Sequence, residues 1–502
     1  MSLAIVYSRG SQGIQAPQVT VEVHISNGLP SLSIVGLPET AVKESKDRVR
    51  GALLNSRLEF PTRRITVNLA PADLPKEGGR FDLPIAIGIL AASAQIKIDQ
   101  LEKLEFAAEL SLGGELRPIK GALPIAVQAR NAGRSLLVST SNQTEAAMVK
   151  DAHIIGANHL LEICAHLNGQ KPIEPTAPSQ STLTNQNCPD FHDVHGQYHA
   201  KRALEVAAAG SHNLVMIGPP GTGKSMLASR LPSILPPLTE DEALETAAIM
   251  SVANQAIDLS NWRKPPFRAP HHTASAPALV GGGSNPKPGE ISLAHNGTLF
   301  LDELPEFDRK VLEVLREPLE TAHITISRAA QQANYPAKFQ LIAAMNPCFC
   351  GFYGDESGKC RCTSEQVRRY RSKISGPLLD RIDIHVEVPR IAHKILRKGS
   401  PHGEETSGQI RQRVIIARDR AITQRGQPNA SMTAPEVKKY CQLEKSGDQL
   451  MEQAMHQFGL SHRAYHRILK VARTIADLAG SEQIQIKHLS EAIGYRKLDR
   501  SN

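Results

Sequence analysis

The chain has 502 residues, 41% hydrophobic and 22% charged, which gives room for roughly two to four globular domains. Seven cysteines, four of them clustered, exclude a disulfide framework and leave a metal site or free thiols, and the most apolar stretch, Leu83 to Ala94, is too short to cross a bilayer. The formal net charge of +8 and a pI near 9.1 permit a polyanionic partner without implying one. Met1 to Arg9 lacks the charged and apolar regions of a secretory signal, so a cytoplasmic location without a membrane is expected.

In chain order, Val19, Val21, Val23 and Ile25 alternate with Thr20, Glu22 and His24, a period of two that predicts a half-buried strand. Ser31 to Val35 and Ile65 to Leu69 read as further strands. Thr40 to Asn55 reads as a helix with Val42, Val49 and Leu53 inward and Lys43, Lys46, Arg48 and Arg50 on a solvated face. Leu83 to Ala94 and Pro118 to Ala132 add two helices, so residues 1–168 are expected to form one α/β domain. This order of elements resembles the proteolytic domain of Lon proteases. Pro75, Lys76, Glu77 and Gly78 resemble the segment before the Lon nucleophile, and Glu115 to Ala122 the segment that carries the Lon lysine. Arg80 stands at the serine position, and Pro124, Ile125 and Ala126 stand where the lysine is expected. A Ser–Lys mechanism needs a hydroxyl and an amine base, so the resemblance implies an inactive, scaffolding domain. Lys171 to Asp190, rich in Pro, Ser, Thr, Gln and Asn and containing Cys188, reads as a linker, with 169–190 as its bounds.

Residues 191–392 carry the clearest chemistry. Asn213 to Ile217 reads as a buried strand, and Gly218, Pro219, Pro220, Gly221, Thr222, Gly223, Lys224 and Ser225 fit the phosphate-loop pattern. In that pattern backbone N–H groups cradle phosphates, Lys224 reaches the β- and γ-phosphates, and Ser225 ligates Mg²⁺. A helix beginning at Met226 aims its positive end at the nucleotide. Gly196 and Gln197, upstream, resemble the adenine-side segment of AAA+ ATPases. Thr298 to Leu301 is an apolar run delivering Asp302, for Mg²⁺, and Glu303, to polarise the attacking water. Phe339 to Met345 is another strand, ending in Asn346, which resembles the polar sensor of AAA+ proteins. Leu378 to Asp383 resembles a segment carrying an arginine finger, which assigns Arg381 to a neighbouring subunit's phosphate; an internal ion pair with Asp380 or Asp383 is the alternative.

Arg268 to Thr273, the Gly281–Gly282–Gly283 turn, Pro286 to His295, Asn346–Pro347–Cys348 and Ser375 to Pro389 together resemble the Mg-chelatase-like AAA+ family of the YifB/ComM type. The resemblance covers almost the whole chain. It implies an α/β fold with three parts: an inactive Lon-like domain, a P-loop ATPase with hairpin insertions, and a C-terminal helical lid over residues 393–502. It also implies a hexameric, ATP- and Mg²⁺-dependent DNA helicase promoting branch migration in natural transformation and homologous recombination, with recombination proteins among its partners. Lys287, in the Gly281–Glu290 excursion, and Arg328, in a hairpin over Ile324 to Ala337, are then candidates to grip DNA phosphates; each alone is otherwise a solvated loop cation.

Cys348-x-Cys350 and Cys360-x-Cys362 bracket a glycine-rich loop, and four thiolates can close a structural zinc site; reduced thiols are the alternative. The family often has proline where this chain has Phe349, which leaves the cysteine pattern intact. His271 and His272 are adjacent, a poor arrangement for ligating one ion, and receive no role. Helices are expected over Ser407–Ala421 with Ser407 as N-cap, Ala434–Gln442, Gln449–Phe458, Ser461–Ala479 and Ile486–Tyr495. By resemblance Arg463 contacts the γ-phosphate, with Arg467 on the same helix face as the alternative. Two other motors would share this core: a metal-chelatase subunit, and a protein-remodelling ATPase that does not act on DNA.

Overall fold

The structure, a computed structural model, describes residues 3–36, 40–74, 76–177, 189–283, 286–327, 332–355, 358–391 and 404–496. Pro75, Cys188, Arg328 and the terminal Asp499 to Asn502 lie outside them. The chain divides into two units. One comprises Met1–Leu183 with Ala243–Trp262 and Ala329–Tyr335; the other comprises Thr184–Glu242, Arg263–Arg328 and Pro336–Asn502. No helix among the described residues is long and apolar enough to cross a membrane.

The first unit is built on a mixed seven-stranded sheet. Its strands are β1 (Leu3–Arg9), β2 (Gln18–Ser26), β3 (Ser31–Val35), β4 (Arg64–Ala70), β5 (Leu104–Ala107), β6 (Ser135–Ser139) and β7 (Ile154–Ala157), in the order β3-β4-β2-β1-β5-β6-β7. Val19, Val21 and Val23 are fully buried, as their alternation requires. The helix Asp82–Ala92 is buried along its whole length, which explains a sequence apolar on every side. The helix expected over Thr40 to Asn55 breaks at Glu44 into Thr40–Lys43 and Ser45–Asn55. Arg48 is not simply solvated: its Nε donates to the buried Asp82 carboxylate at 2.7 Å. The second helix begins only at Ala122, after Gly121 turns the backbone with φ +73°. Arg80, in the turn Gly79–Phe81, donates to the Lys120 carbonyl at 3.4 Å, which joins that turn to the segment Glu115 to Ala122.

The second unit holds a parallel sheet of β8 (Leu214–Ile217), β9 (Phe267–Arg268), β10 (Thr298–Leu301), β11 (Gln340–Met345) and β12 (Ile384–Glu387), ordered β9-β10-β11-β8-β12. β8, β10 and β11 are buried throughout, and their near-continuous apolar runs are what a parallel sheet covered on both faces demands. Because β8 lies between β11 and β12, the loop that leaves it opens at the carboxyl edge beside the ends of two neighbours.

The C-terminal helices are Ser407–Arg425, Ala434–Tyr440, Lys445–Phe458, His462–Leu478 and Ile486–Gly494. Their apolar faces share one hydrophobic core with the sheet, from Leu214 and Ile342 to Ile468 and Leu489. The first helix is capped by Thr406 with Gln409, not by Ser407. Ser407 is buried instead, its Oγ accepting from the Phe191 N–H at 2.8 Å and its own N–H donating to Asp190 at 2.9 Å. The last residue of the expected linker, Asp190, therefore belongs to the folded body. The helix His462–Leu478 is fastened by Thr474 to His212 (2.7 Å) and by Arg467 to Asp383. His212 and Asp383 precede β8 and β12, so these contacts fall at the strand ends opposite the phosphate loop, about 13 Å along a four-residue strand. In this conformation that part of the helical region does not close over the nucleotide loop.

Candidate nucleotide site and cysteine cluster

Gly218 leaves β8 where no side chain fits: a Cβ there would lie 2.2 Å from the Val388 carbonyl oxygen. Gly221 and Gly223 take φ of +76° and +89°, and Gly223 ends the loop as the N-cap of the helix Lys224–Ile234. Lys224 is 8% exposed. Its Nζ donates to the carbonyls of Gly218 (2.7 Å) and Pro219 (2.9 Å) and to Asn346 Oδ1 (3.1 Å). Burial holds its pKa below the ordinary lysine value, with Asp302 and Glu303 pulling the other way. Thr222 Oγ1 closes the loop onto the Pro219 carbonyl at 3.0 Å, and Met226 stands exposed on the first helical turn. Gln197, at φ +54° after Gly196 at φ +65°, donates to the carbonyls of Pro389 (2.7 Å) and Thr222 (3.3 Å), joining the upstream segment to the loop.

β10 delivers its two carboxylates to this loop. Ser225 Oγ donates to Asp302 Oδ2 at 2.5 Å, so the two oxygens that one Mg²⁺ would use already face the same point. The other Asp302 oxygen accepts the Glu303 N–H at 2.9 Å. Glu303 sits at φ +52°, an unfavourable conformation for a side chain with a Cβ and one that turns it away from the strand direction. Its Oε2 lies 3.2 Å from His272 Nδ1, an ion pair while the imidazole is protonated. The His272 ring lies tilted by 33° against His271 (centroids 4.1 Å apart) and meets Phe307 edge-on. Sequence reasoning left His272 without a role. Its only signal was position, shortly after β9, the strand adjoining β10 in the sheet.

The structure thus brings together Gly196, Gln197, the loop Gly218–Ser225, Asp302, Glu303 and Asn346. It does not bring the arginines there. Arg381 is 6% exposed, donates to the Pro377 carbonyl at 2.6 Å and pairs with Glu320. The internal ion pair considered for it exists, with Glu320 in place of Asp380 or Asp383. Arg467 pairs with Asp383 and also donates to the Arg381 carbonyl at 3.2 Å, far from Lys224. Arg463 is exposed one turn earlier on that helix. Lys287 is exposed on a two-residue strand that pairs with Gly281–Gly282. Arg328 lies outside the described residues, between the strands His323–Ser327 and Gln332–Pro336.

The four clustered cysteines converge. Their sulfurs all lie within 4.8 Å of one another. Cys348–Cys350, Cys350–Cys360 and Cys348–Cys360 are separated by 3.4, 3.6 and 3.9 Å. Thiolates tetrahedral about zinc at about 2.3 Å stand about 3.8 Å apart, so the donor set fits that ion. Backbone N–H groups of Phe352 and then Arg361 push the Cys350 thiol down, whereas desolvation and the neighbouring sulfurs push Cys360 and Cys362 up, so it is the convergence of the four sulfurs that marks the site.

Comparison with known proteins bears on the whole chain. The family described as "Magnesium chelatase, subunit ChlI" matches residues 190–396, "Subunit ChlI of Mg-chelatase" matches 21–142, and "Magnesium chelatase, subunit ChlI C-terminal" matches 404–496. The chain is 52% identical to the competence protein ComM of Haemophilus influenzae, covering 100% of this chain and 98% of that one. It is 50% identical to the YifB protein of Escherichia coli over the same shares. A weaker likeness, 23% over 253 residues, links half of the chain to 24% of the DNA replication licensing factor mcm6 of Dictyostelium discoideum.

Proposed function

This chain belongs to the Mg-chelatase-like family of the YifB/ComM type, and from that premise we propose that it is a ring-forming ATPase that moves DNA in a competence-related process. The observation that carries the ATPase reading is the Ser225–Asp302 contact at 2.5 Å beside the Lys224–Asn346 contact at 3.1 Å. Lys224 exchanges its loop carbonyls for phosphate oxygens. Ser225 and Asp302 would hold Mg²⁺, which would supply charge neutralisation when bound. Glu303 orients the attacking water, and Asn346 holds it near the terminal phosphate. Arg381 serves a neighbouring subunit's nucleotide once its pair with Glu320 opens, and the exposed Arg463 is available to a neighbour in the same way. An arginine acting in trans requires a homo-oligomer, which family resemblance makes a hexamer. In the first unit, Arg80 beside Lys120 supports the reading of an inactive Lon-like scaffold.

DNA as cargo is supported by the name of the mcm6 relative, by the basic balance of the chain and by Lys287 on its short hairpin. The family descriptions also name magnesium chelatase, which keeps a motor acting on protein as the second reading. ATP hydrolysis with and without single-stranded, duplex and branched DNA, at low and high salt, separates the two. The expected result is severalfold stimulation that disappears at high salt. No stimulation by any DNA form refutes the DNA reading and leaves the ATPase intact.

A further inference from the structure

We propose that the cysteine knuckle and the helix after it form a binding surface for single-stranded nucleic acid, an inference that rests on the DNA reading above. Residues Cys348 to Lys373 contain six basic side chains, Lys359, Arg361, Arg368, Arg369, Arg371 and Lys373, against three acidic, Asp355, Glu356 and Glu365. Among the described residues Lys359, Arg361, Arg368 and Arg369 are exposed and have no carboxylate partner. Like charges so close repel one another unless a polyanion neutralises them.

Two aromatic rings stand out beside these cations in a chain that is only 4% aromatic. Phe349 is 76% exposed and Tyr353 is 45% exposed. Tyr353 lies under Arg371, whose guanidinium carbon is 5.6 Å from the ring centroid and whose Nε donates to the Pro347 carbonyl at 3.3 Å. Arg368 is one turn before Arg371 on the helix Ser364–Arg371, which puts a further cation on the Tyr353 side. Phe349 stands between Cys348 and Cys350, and a metal on those sulfurs would fix its backbone, leaving little backbone ordering entropy to be lost on binding.

Cations that track a backbone, interleaved with rings that face solvent, are the pattern for unpaired strands. Duplex bases are already stacked and offer no face to Phe349 or Tyr353. An acidic peptide would satisfy the cations and leave the rings unused. The knuckle also touches the nucleotide machinery: at Gly351 a Cβ would lie 2.7 Å from Pro220 Cδ, and Asn346 lies two residues before Cys348. A strand held here would act on the phosphate loop through one packed contact.

The test is fluorescence anisotropy of the full-length protein with a labelled oligothymidylate of about 20 nucleotides, titrated with salt. Arg368→Glu with Arg369→Glu is expected to weaken binding at least tenfold and to lower the salt slope by about 1.4, two single-strand phosphate contacts. Phe349→Ala is expected to weaken binding about fivefold with the slope unchanged, the signature of a lost stack. Basal ATP hydrolysis, thermal midpoint and bound metal should match the parent in both variants; because Phe349 adjoins two ligands, Phe349→Tyr, which keeps a ring, should bind as the parent does. If the parent binds oligothymidylate and the variants bind equally well, this surface is overturned while the DNA reading stands. If the parent binds no DNA form, both fall. If polyglutamate of equal charge competes as well as unlabelled oligothymidylate, the surface is a general anion patch and the proposal is overturned.

Discussion

His272→Ala should speed hydrolysis. His272 Nδ1 and Glu303 Oε2 are 3.2 Å apart, with both side chains partly open to solvent. An ion pair so exposed is worth about 0.5–1 kcal/mol, which biases the carboxylate toward His272 by a factor of about two to five. A carboxylate oxygen that already holds a proton donor is a poorer acceptor for the water it must activate. Removing the imidazole is therefore expected to raise kcat about two- to fivefold and to leave KM unchanged, because no phosphate-loop contact is lost. His272→Lys, which keeps a cation beside Glu303, should hold the low rate. Steady-state phosphate release at saturating ATP measures this. A kcat that is unchanged, or one reduced tenfold, would refute the restraint and show that His272 is either idle or needed to aim Glu303.

Glu303→Gln should bind ATP and fail to hydrolyse it; mixing it with Arg381→Ala subunits should restore some turnover at mixed interfaces, read as phosphate release, and complete silence argues against a finger in trans. Cys350→Ser with Cys360→Ser should lower the zinc content of the purified protein from about one ion per chain to none, measured by elemental analysis, because two thiolates cannot close the site. Asp383 is buried; desolvation raises its pKa, but Arg467 and His212 outweigh that and hold the carboxyl below the usual carboxylate range. A folded pKa depressed in this way stabilises the protein above the unfolded value of about 3.9, and that stability is lost as pH falls. Asp383→Asn should therefore cost about 3 kcal/mol at pH 7, seen as a lowered thermal midpoint, with the difference from the parent narrowing below about pH 4.

What the sequence disclosed was local. The phosphate loop is eight consecutive residues, and a four-residue apolar run preceding two acids is itself a strand with its functional end attached. The alternation through β2 and the helical stripe from Ile468 to Leu478 are likewise written in consecutive positions. Partners far apart in the chain were not readable. His272 meets Glu303 across 31 positions, and Arg381 meets Glu320 across 61. Nothing in the neighbourhood of either arginine or histidine encodes the other end. The same limit explains Arg48, read as solvated from its helix face yet satisfied by Asp82, and Ser407, whose capping chemistry suits a helix start but which is used between elements. Side-chain periodicity tells which face turns inward; it cannot tell what waits there.

The shared core of the second unit has a consequence for how this protein tolerates damage. Ile410, Val414, Ile468 and Leu489 pack into one cluster with Leu214, Ile342 and Ile384. A chain cut short after β12 would expose that apolar surface along the sheet and helices that carry the nucleotide loop. Premature termination between β12 and the end of the helix Ile486–Gly494 should therefore yield no feeble enzyme, only an insoluble or degraded one. Genetic screens would then recover such truncations as complete losses, indistinguishable from deletion of the whole coding region.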